Sequence, residues 1–154
     1  NKLIVVDIAP VTYPNKHDSV LEGLTAIDLK KIKTRADAEK ILAGHVNEPD
    51  VRSFLLKNLT KLPSGEHQWK VNLRGIHRNY PNIRIAPVGK PFKGPTLFIK
   101  GSESNYITNQ HRDTITRLFP QTSLKLVQGT GHWLHAEKPG LFSSLVIKFL
   151  QNHA

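Results

Sequence analysis

The segment Gly129–Pro139, with the sequence GTGHWLHAEKP, decides how this chain is interpreted. It follows Ser123–Val127, a segment with the sequence SLKLV that we interpret as a strand of a parallel sheet. A histidine directly after such a strand lies at the carboxyl edge of the sheet, where ligands bind in open α/β folds. The flanking glycines allow a sharp turn and a close approach to a neighbouring loop. His132 is therefore a candidate site residue, with a turn histidine bonded to a nearby carbonyl as the alternative.

Two apolar runs predict further parallel strands. Leu3–Val6 is continuously apolar, as expected for a strand covered on both faces, and Thr96–Ile99 follows a Gly-Pro breaker. A helix is predicted after Thr96–Ile99, with a stripe made of Ile107, His111, Ile115 and Leu118. A last helix is predicted after the histidine segment, with Pro139 in its first turn. The pattern predicts an α/β fold of three parallel strands with flanking helices.

The middle of the chain follows a different pattern. Residues 11–93 lack convincing strands and predict three or four short helices. Thr34–Asp37 matches a capping box, and a helix after Asn47–Pro49 places Phe54 with Leu55 and Leu59 at core spacing. A helical insertion between sheet strands is typical of a lid over an active site. The expected organisation is a first strand in residues 1–10, a helical lid in 11–93, and a strand–helix–strand–helix segment in 94–154.

Composition limits the classes of function. The 154 residues include no cysteine, which excludes disulfides, thiolate catalysis and thiolate metal sites. The net charge of +10 comes from scattered bases, so a solvated surface is favoured over acidic small ligands or nucleic acid. No apolar run reaches the roughly 18 residues of a membrane span. The sequence shows no secretory signal, so we expect a cytoplasmic or organelle-matrix protein.

The first residues predict a piece of a longer protein. The sequence contains no methionine, and Asn1–Lys2 leads directly into the strand Leu3–Val6 without a preceding cap or turn. We therefore expect a missing N-terminal segment of the same protein as a structural partner.

Five stretches together resemble α/β-hydrolases, and more closely the small YbfF-type bacterial esterases and their mitochondrial abhydrolase-domain relatives. These stretches are Val6–Pro10, Val51–Leu59, Trp69–Asn72, Leu97–Gly101 and Gly131–Pro139. The resemblance implies the C-terminal part of an α/β-hydrolase fold. It further implies hydrolysis of a small carboxylic ester or thioester, acyl-CoA esters included, by a serine, a histidine and an aspartate.

The resemblance also implies roles for particular residues. His132 would be the catalytic histidine and Asp7 the acid, with Glu103 as the alternative acid and Ser104 as a hydrogen-bond partner of the histidine. The nucleophilic serine belongs to a Gly-x-Ser-x-Gly motif that this sequence does not contain, so we expect the chain alone to be inactive. No cofactor is implied.

Alternatives remain open at this point. His132 and His135 form an His-x-x-His pair without an evident third ligand, which argues against a metal site. An epoxide hydrolase or dehalogenase of the same fold would use an aspartate nucleophile. A non-catalytic binding module with a basic surface is the alternative from another class.

Overall fold

A computed structural model describes residues 1–152. Two 3₁₀ turns, Leu56–Asn58 and Asn109–His111, accompany the regular elements. In chain order, these elements are β1 (Leu3–Val6), α1 (Asp18–Ala26), α2 (Arg35–Ala43), α3 (Pro49–Leu55), β2 (Leu59–Lys61), β3 (His67–Trp69), α4 (Leu73–Ile83), β4 (Thr96–Gly101), α5 (Arg112–Leu118), β5 (Thr122–Val127), α6 (Leu134–Glu137) and α7 (Pro139–Asn152).

The chain divides into two compact units. The sheet unit holds Asn1–Thr12 and the residues from Ala86 onward, and the helical unit holds Tyr13–Ile85. The sequence placed these divisions at residues 10 and 93, whereas the structure assigns the connector from Ala86 to the sheet unit. No helix among residues 1–152 is long and apolar enough to cross a membrane.

The sheet unit contains a parallel sheet with the strand order β1-β4-β5. Val6 pairs with Ile99, and Ile99 pairs with Lys125, so the three strands end at one edge. The three predicted parallel strands with flanking helices are therefore confirmed. Because the strands are parallel, the loops that follow them meet at their carboxyl ends.

The central strand supplies most of the core of this unit. On one face of the sheet, Leu97 and Ile99 of β4 pack with Val127, Leu134 and Phe149. On the other face, Phe98 meets Phe119 edge-on, with ring centroids 5.5 Å apart. The residues of β1 are only half-buried, and β1 is an outer strand of the described sheet. The sequence predicts cover on both faces of this strand for the complete protein, in which a further N-terminal segment is expected.

One helix of the sheet unit begins differently from the prediction, and another begins as predicted. The helical stripe expected from Ile107 to Leu118 is a 3₁₀ turn followed by α5. His111 is not an ordinary member of that stripe, because its Nδ1 accepts the Thr108 backbone N–H at 3.3 Å and so closes the turn. Pro139 begins α7 as predicted, and its missing N–H separates α7 from the short α6.

The helical unit has its own apolar core. The predicted capping box begins α2: the Asp37 backbone N–H donates to Thr34 Oγ1 at 3.2 Å, and the Thr34 N–H donates to Asp37 Oδ2 at 2.9 Å. Ala38 and Leu42 of α2 are fully buried. The buried members of this core are Leu21, Leu24, Ile27, Ile32, Ala38, Leu42, Val46, Leu56 and Leu73.

Two sequence expectations for this unit are wrong. The unit contains strands, because β2 and β3 form an antiparallel hairpin in which Leu59 pairs with Trp69. Each strand is three residues long, too short to show an alternating pattern, and Gly65 makes the turn at a φ of +90°. Phe54 is 50% exposed and does not belong to the core. The adjacent Leu55 packs against the core.

Each unit is closed by a hydrogen bond near the point where the chain passes between them. In the sheet unit, the Ala86 N–H donates to Thr12 Oγ1 at 3.0 Å. In the helical unit, the Tyr13 N–H donates to the Arg84 carbonyl at 2.9 Å. The chain therefore enters and leaves each unit at neighbouring positions.

Candidate active site

Asp7 stands at the carboxyl end of β1. Its backbone N–H still pairs with the Ile99 carbonyl at 2.8 Å, so it continues the register of the strand. Its φ is +46°, a left-handed conformation that costs energy for a residue with a side chain. Its carboxyl group is completely buried. Strained backbone of this kind is concentrated at functional sites.

Three donors satisfy the buried carboxylate of Asp7. Oδ1 accepts the Gly101 backbone N–H at 3.2 Å. Oδ2 lies 2.8 Å from His132 Nδ1 and also accepts the Ser104 hydroxyl. The expected contact between Asp7 and one ring nitrogen of His132 is therefore present. All three strands contribute to it, since the donors follow or end β4 and β5.

Ser104 contacts the acid and not the histidine. The expectation that its hydroxyl would bond to His132 is corrected here, because the hydroxyl donates its hydrogen to Asp7. Its oxygen accepts the Tyr106 backbone N–H at 3.2 Å. Glu103, the alternative acid, is exposed, and its backbone N–H bonds the Thr130 carbonyl.

The His132 ring is held by both its edge and its face. One edge meets Asp7, and one face stacks on Tyr106, with ring centroids 4.1 Å apart and planes inclined by 23°. The side chain remains 45% exposed. With Nδ1 engaged, Nε2 is the ring nitrogen that remains for a reacting group. Tyr106 was missed in the sequence, where its position two residues after Ser104 is the one available signal.

The histidine loop is connected to the loop after β4. The Gly129 N–H donates to Ser102 Oγ at 2.8 Å, and the Gly131 N–H donates to both carboxylate oxygens of Glu137, at 3.2 and 3.1 Å. A Cβ at Gly101 would lie 2.1 Å from the Gly131 carbonyl oxygen. The two loops therefore approach so closely that position 101 has no room for a side chain.

His135 has a different environment from His132. Its ring meets the edge of Phe142 on α7, with centroids 6.1 Å apart. Within residues 1–152, no group of three or more His, Cys, Asp or Glu side chains is arranged to hold a metal ion. The structure therefore does not bring His132 and His135 together with a third ligand.

The α/β-hydrolase fold has a parallel sheet with flanking helices. It also has a buried acid that bonds to a loop histidine at the carboxyl edge of the sheet. This chain shows both features. The chain is homologous to the α/β-hydrolase esterases over nearly its whole length. It is 36% identical to the sn-1-specific diacylglycerol lipase ABHD11 of mouse, over 97% of this chain and 50% of that protein. It is 33% identical to the esterase YbfF of Escherichia coli, over 99% of this chain and 58% of that protein.

The solved structures agree with these relatives. A marine microorganism esterase, 36% identical, superposes with a TM-score of 0.92 over 97% of this chain and 60% of that one. An E-2-(acetamidomethylene)succinate hydrolase shares the fold at 16% identity and a TM-score of 0.63, over 97% of this chain and 57% of that one. No protein-family model matches the sequence. The chain spans about half the length of the curated relatives it matches.

Proposed function

We propose that the protein carrying this chain hydrolyses carboxylic esters or thioesters by a Ser–His–Asp mechanism. His132 would be the general base and general acid, and Asp7 the acid of the triad. The observation that carries the proposal is the 2.8 Å contact between His132 Nδ1 and Asp7 Oδ2 at the carboxyl edge of the sheet.

The geometry suits the proton transfers of acyl transfer. A carboxylate that accepts from Nδ1 fixes the tautomer in which Nε2 is basic, so Nε2 would take the proton of a serine hydroxyl as that oxygen attacks the acyl carbon. Asp7 would stabilise the imidazolium, which then protonates the leaving alcohol or thiol. Ser104 and Gly101 would orient the carboxylate through the bonds they donate to it.

The nucleophile would come from outside this chain. The sequence has no Gly-x-Ser-x-Gly motif, and the relatives are about twice as long as the region they share with it. We place the serine and the oxyanion-binding N–H groups in that unshared region. The chain alone would then lack a nucleophile and would not turn over esters.

The proposed substrates are acyl esters. The relatives are named as a diacylglycerol lipase and as esterases, and these names favour ester hydrolysis over epoxide or halide chemistry and over a purely binding role. Acyl thioesters, coenzyme A esters included, remain among the candidate substrates. The helical unit would serve as the lid of the active site.

The test uses the complete polypeptide that carries this chain. A fluorophosphonate probe should label one serine, and p-nitrophenyl esters should be hydrolysed with saturation. Prior labelling should abolish this hydrolysis. Labelling of an aspartate by an alkylating epoxide or haloalkane, with no fluorophosphonate adduct, would instead support an aspartate nucleophile and refute the proposal.

A further inference from the structure

The sheet unit contains a cavity of about 430 Å³ between the strands β4 and β5 and the helix α5. This volume lies within the range of small-molecule sites. Asp7 and His132 do not line the cavity, and neither do Ser104 and Tyr106. The cavity is therefore distinct from the candidate active site, and its whole lining belongs to one unit.

One part of the cavity wall is apolar. Phe98, Ile107 and Ile115 line it and are buried in the unit. Leu124 of β5 lines it as well, yet its side chain is 54% exposed. A ligand that covered Leu124 would remove apolar surface from water, which favours binding.

Two cationic side chains line the same cavity, Lys100 of β4 and Arg112 of α5. The Lys100 ammonium donates to the carbonyls of Gly101 and Ser104 at 2.9 and 2.8 Å, which leaves one ammonium hydrogen for a ligand. Arg112 is exposed and takes no part in the ion pairs found within residues 1–152. Its guanidinium is therefore available to an incoming anion.

The charges of the wall are of one sign. Among the described residues that line the cavity, none is an acid, and Asp113, which follows Arg112 in α5, is not among them. An anion in the cavity would meet two positive charges and no negative one. A guanidinium can bind a carboxylate through two parallel N–H bonds, which gives direction as well as strength to the contact.

We propose that this cavity binds a small organic carboxylate with an apolar body. The apolar body would lie against Phe98 and Leu124, and the carboxylate would lie between Lys100 and Arg112. A water molecule occupies about 30 Å³ in the liquid, so the cavity holds about fourteen groups of that size. A bicyclic aromatic acid such as 2-naphthoate has this size. The inference does not depend on the proposed function, because it concerns a second site.

A pair of ligands with the same shape tests the need for the charge. In the complete polypeptide that carries this chain, calorimetric titration should show saturable binding of 2-naphthoate. The neutral 2-naphthamide should bind about tenfold more weakly, because it lacks the charge that Lys100 and Arg112 attract. Added salt should weaken the binding of 2-naphthoate and leave that of 2-naphthamide unchanged.

Two arginines of α5 provide matched variants. Arg112 lines the cavity, whereas Arg117, also exposed on this helix, does not. Arg112→Gln should weaken 2-naphthoate binding about tenfold and leave 2-naphthamide binding unchanged, and Arg117→Gln should affect neither ligand. Lys100 is left in place because its ammonium also holds the loop that carries Ser104.

Two leucines of β5 provide the apolar counterpart. Leu124 lines the cavity at 54% exposure, whereas Leu126, 48% exposed on the same strand, does not. Leu124→Gln should weaken the binding of both ligands about fivefold, and Leu126→Gln should weaken neither. Both substitutions replace an exposed side chain, and unfolding curves identify any variant that loses its fold.

Several outcomes would overturn the assignment. They are the absence of saturable binding, equal affinities for 2-naphthoate and 2-naphthamide, and equal effects of Arg112→Gln and Arg117→Gln. Self-association that Leu124→Gln abolishes and 2-naphthoate does not affect would make the cavity an interface between copies. Loss of 2-naphthoate binding after fluorophosphonate labelling would place the ligand in the active site instead. Because binding is measured without turnover, an inactive polypeptide that still binds 2-naphthoate would refute the ester hydrolase alone.

Discussion

Tyr106 and His132 stack with their ring centroids 4.1 Å apart and their planes inclined by 23°. The Tyr106 backbone N–H also donates to Ser104 Oγ at 3.2 Å, and Ser104 in turn donates to Asp7. One tyrosine therefore contacts the histidine by its ring and the acid's partner by its backbone. The loop after β4 in this way fixes both members of the proposed catalytic pair.

Removing the Tyr106 ring should make the orientation of the His132 imidazole less fixed, while its contact with Asp7 persists. In the complete polypeptide, we expect Tyr106→Ala to lower kcat about tenfold, since ring misorientation is costly in proton transfer. Tyr106→Phe should retain most of the rate because it keeps the stacked ring. Steady-state kinetics across pH test this, and equal losses in both variants would show that the hydroxyl matters and the stacking does not.

The two histidines of the segment should respond differently to substitution. His132→Ala should lower ester turnover in the complete polypeptide by about 10⁴-fold, because the general base is removed. His135→Ala should chiefly lower the free energy of unfolding, by about 1 kcal/mol, through the lost contact with Phe142. Initial rates and urea unfolding of both variants make the comparison. Similar rate losses in two folded variants would contradict the assignment of His132.

The positive φ of Asp7 predicts a difference in the free energy of unfolding between two variants that both lack the carboxylate. Asp7→Gly should be more stable than Asp7→Ala by about 1 kcal/mol, because alanine retains the left-handed cost and glycine does not. Both should lose ester turnover. The measurement is urea unfolding of the pair, and equal stabilities would show that the backbone relaxes when the acid is lost.

Gly101 should not tolerate a methyl group, because a Cβ there meets the backbone of the histidine loop at Gly131. We expect Gly101→Ala to cost about 2 kcal/mol of stability. A Cβ at Gly140, in the first turn of α7, would project into open space with no neighbouring atom within 4 Å, so Gly140→Ala should be neutral or slightly stabilising. Thermal unfolding of the two variants tests the contrast, and an unaffected Gly101→Ala protein would show that the loops are farther apart.

The capping box of α2 predicts a pH dependence. The backbone N–H groups of Lys33 and Thr34 hold the pKa of Asp37 below its usual range. A lowered folded-state pKa means that the contribution of the carboxylate is complete above the unfolded pKa of about 3.9 and is lost as the pH falls further. Asp37→Asn should therefore be less stable than the unmodified chain at pH 7, and the gap should narrow on acidification toward pH 3. A stability difference between the two proteins that does not change with pH would refute the role of the Asp37 charge.

The same box allows a control that does not titrate. Thr34→Ala removes the hydroxyl that accepts the Asp37 N–H and should cost about 1 kcal/mol of stability. Most of this cost should be present at pH 7 and at pH 4.

The regular parts of the fold were predictable where the sequence carries a period or a cap. Continuous apolar runs identified β1 and β4, the segment Ser123–Val127 before a Gly-rich turn identified β5, and the box at Thr34–Asp37 identified the start of α2. The β2–β3 hairpin was not predictable, because three residues are too few to show an alternating pattern. These strands are stabilised by pairing with each other, which the sequence does not reveal. Phe54 fitted the helical period of α3 but lies on its solvent side, because a helix of seven residues does not define its buried face.

For the candidate site, the topology was predictable and the finer contacts were not. Parallel strands bring Asp7 and His132 to one edge, so their proximity followed from the two predicted strands that precede them. The direction of the Ser104 hydroxyl and the stacking of Tyr106 depend on the path of the loop after β4, which contains no period. The left-handed backbone of Asp7 also escaped prediction, because aspartate adopts this conformation only when tertiary contacts fix it.

The positions at which the chain passes between its two units have a consequence for how such proteins diverge. Thr12 is bonded to Ala86 in one unit, and Tyr13 to Arg84 in the other. A segment whose two ends lie together can be lengthened, shortened or exchanged for an unrelated segment while the strands keep their neighbours. Selection can therefore act on residues 13–85 as one segment, while the strand pairing that holds Asp7 in place is kept.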